Sequence, residues 1–176
     1  SFYEPHDPYF GPLNHLHAPE DVILPGNFNA VPQANQPLKA QLEQCYFYHY
    51  GDVFTPLPLR TEQQWRILIA RYWGLCTLVD RYIGRILQTL RDRGLYENTL
   101  IVFTSDHGTM MGSHRMNIKN MAFEESTRVP LLVRLPGQIE SRKFNAPVSQ
   151  IDLVPTLLDL MQQEIPGHLQ GRSLRP

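Results

Sequence analysis

Ser105-Asp106-His107-Gly108 closes an apolar run and sets a carboxylate directly beside an imidazole, with His114 a short way further on. An oxygen and a nitrogen donor together suit a divalent cation, although two donors are an incomplete shell. The same residues also suit a strand-end turn whose polar groups bond the local backbone. Both readings stay open on residue type alone. Adjacent residues in a strand point to opposite faces, so Asp106 and His107 can share an ion only where the chain has left the strand. Gly108, with no Cβ, makes a turn there low in energy.

The elements that must hold this turn can be read from periodicity. Residues 99–104 are β-branched and apolar and predict a strand buried on both faces. Before them, Trp65, Leu68, Ile69, Tyr72, Leu75, Cys76, Val79, Ile83, Ile86, Leu87 and Leu90 recur at steps of three and four, one stripe of a long helix. Thr61 with Gln64 forms a capping-box pattern at its start, and Gly94 terminates it. Residues 130–137 read as a second short strand bounded by prolines, and 149–163 as a helix that tolerates Pro155 near its first turn. Strands alternating with helices predict an α/β layered fold, its sheet mainly parallel and flanked by helices. Ligands in such folds sit beyond the carboxyl ends of the strands, which is where Asp106 and His107 fall. Residues 13–60 are different in kind. Rich in Pro, Asn, Gln and His, they read as an irregular excursion. Its aromatics pack on the body, and His15, His17 and His49 are candidates to line a cleft.

Composition restricts the partners. Sixteen basic against seventeen acidic residues give a formal charge of −1, so neither nucleic acid nor an anionic membrane surface is indicated. No apolar run approaches the ~20 residues that span a bilayer. With 176 residues, 42% of them hydrophobic, the chain fits one ordinary domain. Cys45 and Cys76 make no CxxC pair and no zinc site.

Further motifs stand in a fixed order. They are Pro5-His6-Asp7-Pro8, Val79-Asp80, Ile83-Gly84, Ser105 to Gly108, Lys119, Glu124-Glu125-Ser126 and Arg128-Val129-Pro130. Two later segments follow, SQIDLVPTLLDL at 149–160 and GRSL at 171–174. As an ordered set they resemble the sulfatase family of the alkaline phosphatase superfamily. The resemblance implies an alkaline-phosphatase-like layered fold and a sulfuric ester hydrolase acting on a small-molecule or saccharide sulfate ester. It implies that Asp106 and His107 hold a divalent metal, calcium foremost, with magnesium or manganese as alternatives. Lys119 would bind a sulfate oxygen, His6 would contact the sulfate or assist the leaving oxygen, and His114 would reach the substrate. Such a set is coherent, because a sulfate ester gathers charge on its leaving oxygen and needs fixed positive groups and a proton donor there. A phosphonate or phosphate ester hydrolase of the same superfamily is the alternative, and a non-catalytic domain of that fold is a third reading. Members are commonly exported, periplasmic or lysosomal.

The departures matter as much. The family's nucleophile is a Cys or Ser within Cys/Ser-x-Pro-x-Arg, converted to formylglycine. Cys45 is followed by Tyr-Phe-Tyr-His and Cys76 by Thr-Leu-Val-Asp, so neither fits. The aspartate pair that completes the family's metal site also precedes Pro-His-x-Pro. The resemblance therefore implies that 1–176 is a partial, truncated catalytic domain, without the nucleophile-bearing half or the C-terminal subdomain, and with 13–60 as an irregular insertion. It also implies that this polypeptide alone hydrolyses no sulfate ester.

Overall fold

The computed structural model describes residues 4–31, 33–50, 59–117, 119, 121–138 and 140–175. They divide into two compact units, Ser1–Gly137 and Gln138–Pro176. In chain order the first unit carries helix α1 (Leu38–Tyr50), helix α2 (Glu62–Asp92), strand β1 (Ile101–Thr104), the one-turn helix α3 (Glu124–Thr127) and strand β2 (Leu131–Arg134). The second carries helix α4 (Leu153–Leu160). Among the described residues no helix is long and apolar enough to cross a membrane.

Helix α2 starts and stops where its sequence says. Thr61 Oγ1 accepts the Gln64 amide at 3.3 Å while Gln64 Oε1 accepts the Thr61 amide at 3.1 Å, a reciprocal capping box. At the other end Gly94 turns left-handed at φ 66°, its amide donating to Arg91 O and that of Leu95 to Leu90 O, both at 2.9 Å. That is a Schellman stop. Trp65, Leu68 and Leu75 are buried against Tyr9, Phe28 and Leu59, and each such side chain contributes about 1.5–3 kcal/mol. The Trp65 indole also donates to Leu59 O at 2.9 Å, tying the incoming loop to the helix. Beyond Leu75 the stripe is less covered, and Ile86 is 51% exposed.

Residues 13–60 are not irregular throughout. They hold α1, whose Ala40 and Phe47 are buried with Met110, Met116 and Met121. Its other apolar residues, Leu38, Leu42, Tyr46 and Tyr50, repeat every four positions on the exposed side. Apolar residues on two faces give no single amphipathic stripe, so the period was not visible. The loop that precedes it is fastened to α2. His17 Nε2 lies 3.0 Å from Thr77 Oγ1 and its ring meets Trp73 edge-on, and the Arg66 guanidinium donates to Val22 O.

The sheet differs from expectation in two ways. Strands β1 and β2 pair antiparallel, Ile101 opposite Arg134 and Thr104 opposite Leu131, so this pair is not part of a parallel ladder. A parallel pair needs a helical crossover; the described residues between these strands carry only a 3-10 turn (Ser113–Arg115) and the single turn of α3. Nor are the strands buried on both faces, since Phe103 and Leu132 are exposed. Arg134 anchors β2, donating to Tyr96 O at 2.8 Å and Glu97 Oε2 at 2.7 Å with its guanidinium 3.9 Å from the Tyr96 ring centroid.

In the second unit the predicted helix is shorter than 149–163, a 3-10 turn (Gln150–Asp152) leading into α4. The chain at 171–175 lies along it. Asp152 Oδ1 accepts the Arg172 amide at 2.9 Å, Thr156 Oγ1 the Leu174 amide at 3.0 Å, and Asp159 Oδ2 the Ser173 hydroxyl at 2.5 Å. Gly171 is required there, because a Cβ would come within 2.0 Å of Ile151 O.

Candidate functional site

Once β1 ends at Thr104, the chain turns on its own polar groups. The His107 amide donates to Asp106 Oδ1 at 2.9 Å and the Ser105 hydroxyl to His107 O at 2.9 Å. The first of these contacts chiefly holds the Asp106 carboxyl below the usual carboxylate range, with the neighbouring His107 ring assisting. His107 Nδ1 lies 2.8 Å from Gly108 O. A carbonyl can only accept, so Nδ1 carries the hydrogen. His107 Nε2 then lies 3.6 Å from Asp106 Oδ2, both functional ends on one side of the turn. A lone pair facing a carboxylate is repulsive unless a proton or cation stands between them. The separation is also within reach of two bonds of ~2.4 Å to one ion. An imidazole whose other nitrogen is fixed by a carbonyl is the arrangement metal-ligating histidines adopt. Asp106 and His107 therefore fit as two ligands of one divalent cation, on a turn that also bonds its own backbone. Among the described residues no cluster of three or more His, Cys, Asp or Glu could hold a metal.

Gly108 serves this turn through close approach rather than through left-handed backbone, since its φ is not positive. Its amide donates to Ser126 O at 2.8 Å, and a Cβ on it would lie 2.0 Å from Glu125 O. The Asp106-His107 turn is thus seated directly on α3.

His6 and Lys119, 113 positions apart, are brought together, Lys119 Nζ 2.9 Å from His6 Nε2. On the other side of the ring, Nδ1 lies 2.7 Å from Asp7 Oδ1 and 3.0 Å from Asp7 O. The turn that holds His6 closes through the Tyr9 amide on His6 O at 3.0 Å. Tyr9 is buried and meets Tyr72 of α2 edge-on, fixing this turn to the core. Lys119 is half-buried, between the buried Met116 and Met121, rather than a solvated surface lysine.

His114 packs against the segment that supports the turn. Its ring stacks on Phe123 with centroids 4.5 Å apart, and its amide donates to Asn27 O at 3.2 Å. Met111, His114 and Arg115 all have positive φ, and each such non-glycine residue costs on the order of 1 kcal/mol. Asn27 also donates to Glu125 Oε1 at 2.8 Å. Burial opposes the Glu125 charge, but the bonds from Asn27, its own backbone and Ser113, with the His114 ring nearby, hold its carboxyl below the usual range. Glu124 and Arg128 pair at 3.8 Å on the exposed side of α3. Asn27 and Ser113 carry no periodic or motif signal of their own, and Asp7 fills the variable position of Pro-His-x-Pro. Only the adjacency of Asp7 to His6 could have drawn attention to one of them.

An exposed Asp-His pair at a strand end, seated on a Glu-Glu-Ser turn, together with a Lys-His pair, defines a class. The sulfatase family model matches residues 14–163, and the chain belongs to that family, within the alkaline phosphatase superfamily. Arylsulfatase K of Danio rerio is 40% identical over 116 residues, 66% of this chain and 22% of that protein. The endo-4-O-sulfatase of Bacteroides thetaiotaomicron is 42% identical over 108 residues, 60% of this chain and 21% of that one. Among solved structures, the phosphonate monoester hydrolase of Silicibacter pomeroyi superposes with a TM-score of 0.79 at 34% identity, covering 98% of this chain and 35% of that one. The fold is thus the sulfatase and alkaline-phosphatase type. The chain spans about a fifth of the length of the curated relatives it matches.

Proposed function

We propose that this chain supplies the anion-binding and proton-transferring part of the active site of a metal-dependent sulfuric ester hydrolase, acting on a small-molecule or saccharide sulfate ester. The observation that carries this reading is the 2.9 Å approach of Lys119 Nζ to His6 Nε2. An ammonium and an imidazole meeting at one point suit an anion whose bridging oxygen must be protonated as it leaves. In this reading Lys119 donates hydrogen bonds to the non-bridging oxygens of the ester. His6 delivers a proton through Nε2 to the leaving oxygen, the ring having taken that proton from solvent, while Lys119 stays an ammonium and keeps its charge for the anion. Asp106 and His107 would hold a divalent cation, calcium foremost, which when bound neutralises charge on the transferred group. His114 and Glu125 keep the seat of that pair rigid, and His114 is assigned support rather than substrate contact. No stretch of the 176 residues reads Cys/Ser-x-Pro-x-Arg, so the reading takes its formylglycine nucleophile from sequence beyond them. The 176-residue polypeptide alone is accordingly expected to turn over no sulfate ester.

Relatives named N-acetylglucosamine-6-O-sulfatase and endo-4-O-sulfatase, and a neighbour solved with its substrate D-glucosamine-2-N,6-O-disulfate, support a saccharide sulfate as the substrate class. A second reading, phosphonate ester hydrolysis, is favoured by one observation. Two phosphonate monoester hydrolases superpose over 98% and 99% of this chain with TM-scores of 0.79 and 0.76. The test is kcat/KM of the full-length protein on a matched pair, 4-nitrophenyl sulfate and 4-nitrophenyl phenylphosphonate. A preference for the sulfate supports the leading reading, and a preference for the phosphonate replaces it with the second.

A further inference from the structure

From the two sides of the His6 ring we infer that Asp7 is a positioning residue, which sets the tautomer of His6 and supports the ring when it is charged. The inference rests on the proton-transferring role proposed above for His6. Its geometry stands independently of that role. Lys119 as an ammonium has three donors and no acceptor, so the 2.9 Å contact with Nε2 requires a lone pair on that nitrogen. Asp7 Oδ1 at 2.7 Å and Asp7 O at 3.0 Å are both acceptors, so Nδ1 must carry the hydrogen. The two sides demand the same tautomer. Nε2 is thereby left as the atom that exchanges protons.

When Nε2 takes up a proton the ring becomes a cation, and the Asp7 carboxylate is then its partner across Nδ1. A charge-assisted hydrogen bond is roughly twice as strong as a neutral one. The arrangement is built rather than incidental. Asp7 precedes Pro8, which confines its backbone to extended conformations, and the His6 amide is itself held by Glu4 Oε2 at 3.0 Å. The His6 and Asp7 side chains are 31% and 42% exposed, so both are partly withdrawn from water. The division of roles is that of the Ser-His-Asp triad, in which a carboxylate orients an imidazole without taking its proton.

The test uses the full-length protein with Asp7→Ala, Asp7→Asn and Asp7→Glu, assayed on 4-nitrophenyl sulfate and 4-nitrophenyl phenylphosphonate. In parallel, 15N-histidine NMR at about pH 8.5, where model imidazoles are neutral, reads the His6 tautomer directly. Wild type should show hydrogen on Nδ1. Asp7→Ala and Asp7→Asn should lower kcat about tenfold with KM moved less than threefold and the melting temperature unchanged. Asp7→Glu should recover part of the loss. Hydrogen on Nε2 in wild type, or wild-type kcat in Asp7→Ala, overturns the inference. If neither ester is hydrolysed the functional reading fails instead, and the NMR result still decides the tautomer.

Discussion

Replacing Gly108 by alanine isolates the contact that seats the Asp106-His107 turn. A Cβ there would lie 2.0 Å from Glu125 O and 3.1 Å from Glu125 C. Backbone cannot swing aside like a flexible side chain, so α3 must retreat by more than about 1 Å to reach ordinary contact. That retreat stretches the 2.8 Å hydrogen bond from the Gly108 amide to Ser126 O. Overpacking of this kind costs about 1–3 kcal/mol and the loosened hydrogen bond about 1 more. A total of about 2–4 kcal/mol corresponds to a melting temperature lower by about 5–15 °C for a domain of this size. Gly84→Ala is the internal control. Nothing lies within 4 Å of its Cβ position in mid-helix, so alanine should leave stability unchanged or raise it by up to about 1 kcal/mol. Differential scanning fluorimetry or calorimetry of the two variants beside wild type is sufficient. A Gly108→Ala protein melting within about 2 °C of wild type would refute the close-approach argument.

Asp106→Asn and His107→Ala should each weaken calcium binding at least about tenfold in titration calorimetry of the full-length protein, and unchanged affinity in both would remove the pair from the metal site. Acid should loosen the 171–175 segment first. The Arg172 amide holds the Asp152 carboxyl below its ordinary range, and the Ser173 hydroxyl does the same for Asp159. Depressed folded values mean that this stabilisation is present above the unfolded carboxylate range, near pH ~4, and is lost as pH falls through the lowered values. Hydrogen exchange of the Arg172 and Leu174 amides should therefore speed up below about pH 4, after correction for intrinsic rates; protection that persists to pH 2 contradicts the assignment.

What could be read beforehand was what local chemistry determines. Thr61, Gln64 and Gly94 act within a few residues of themselves, so both ends of α2 were legible. So was the turn at Asp106-His107, where a polar pair interrupts an apolar run. Less legible were the features that depend on distant neighbours. Helix α1 carries apolar residues on two faces and a buried Gln44 whose amide bonds Ala30 O, which conceals its period. The pairing of β1 with β2 depends on how the intervening loop returns, and strand composition does not report direction. By residue type alone Lys119 looks like any lysine; only its place in the ordered motif set marked it, and its contact with His6, far away in sequence, could not be read. Gly108 was legible as a glycine that eases a turn, but the requirement for glycine, a carbonyl of α3 pressed against its Cα, belongs to tertiary structure.

The central claim is that His6 and Lys119 serve one anion site. A double-mutant cycle of kcat/KM in the full-length protein, with His6→Ala, Lys119→Ala and both together on the preferred ester, tests it most directly. Each single change should lower kcat/KM by about 10²–10³-fold, as for loss of one donor at a charge-stabilising site. The double variant should fall well short of the product of the two losses, because the groups act on the same oxygen atoms. Wild-type rates in either single variant, or losses that multiply fully, would contradict it.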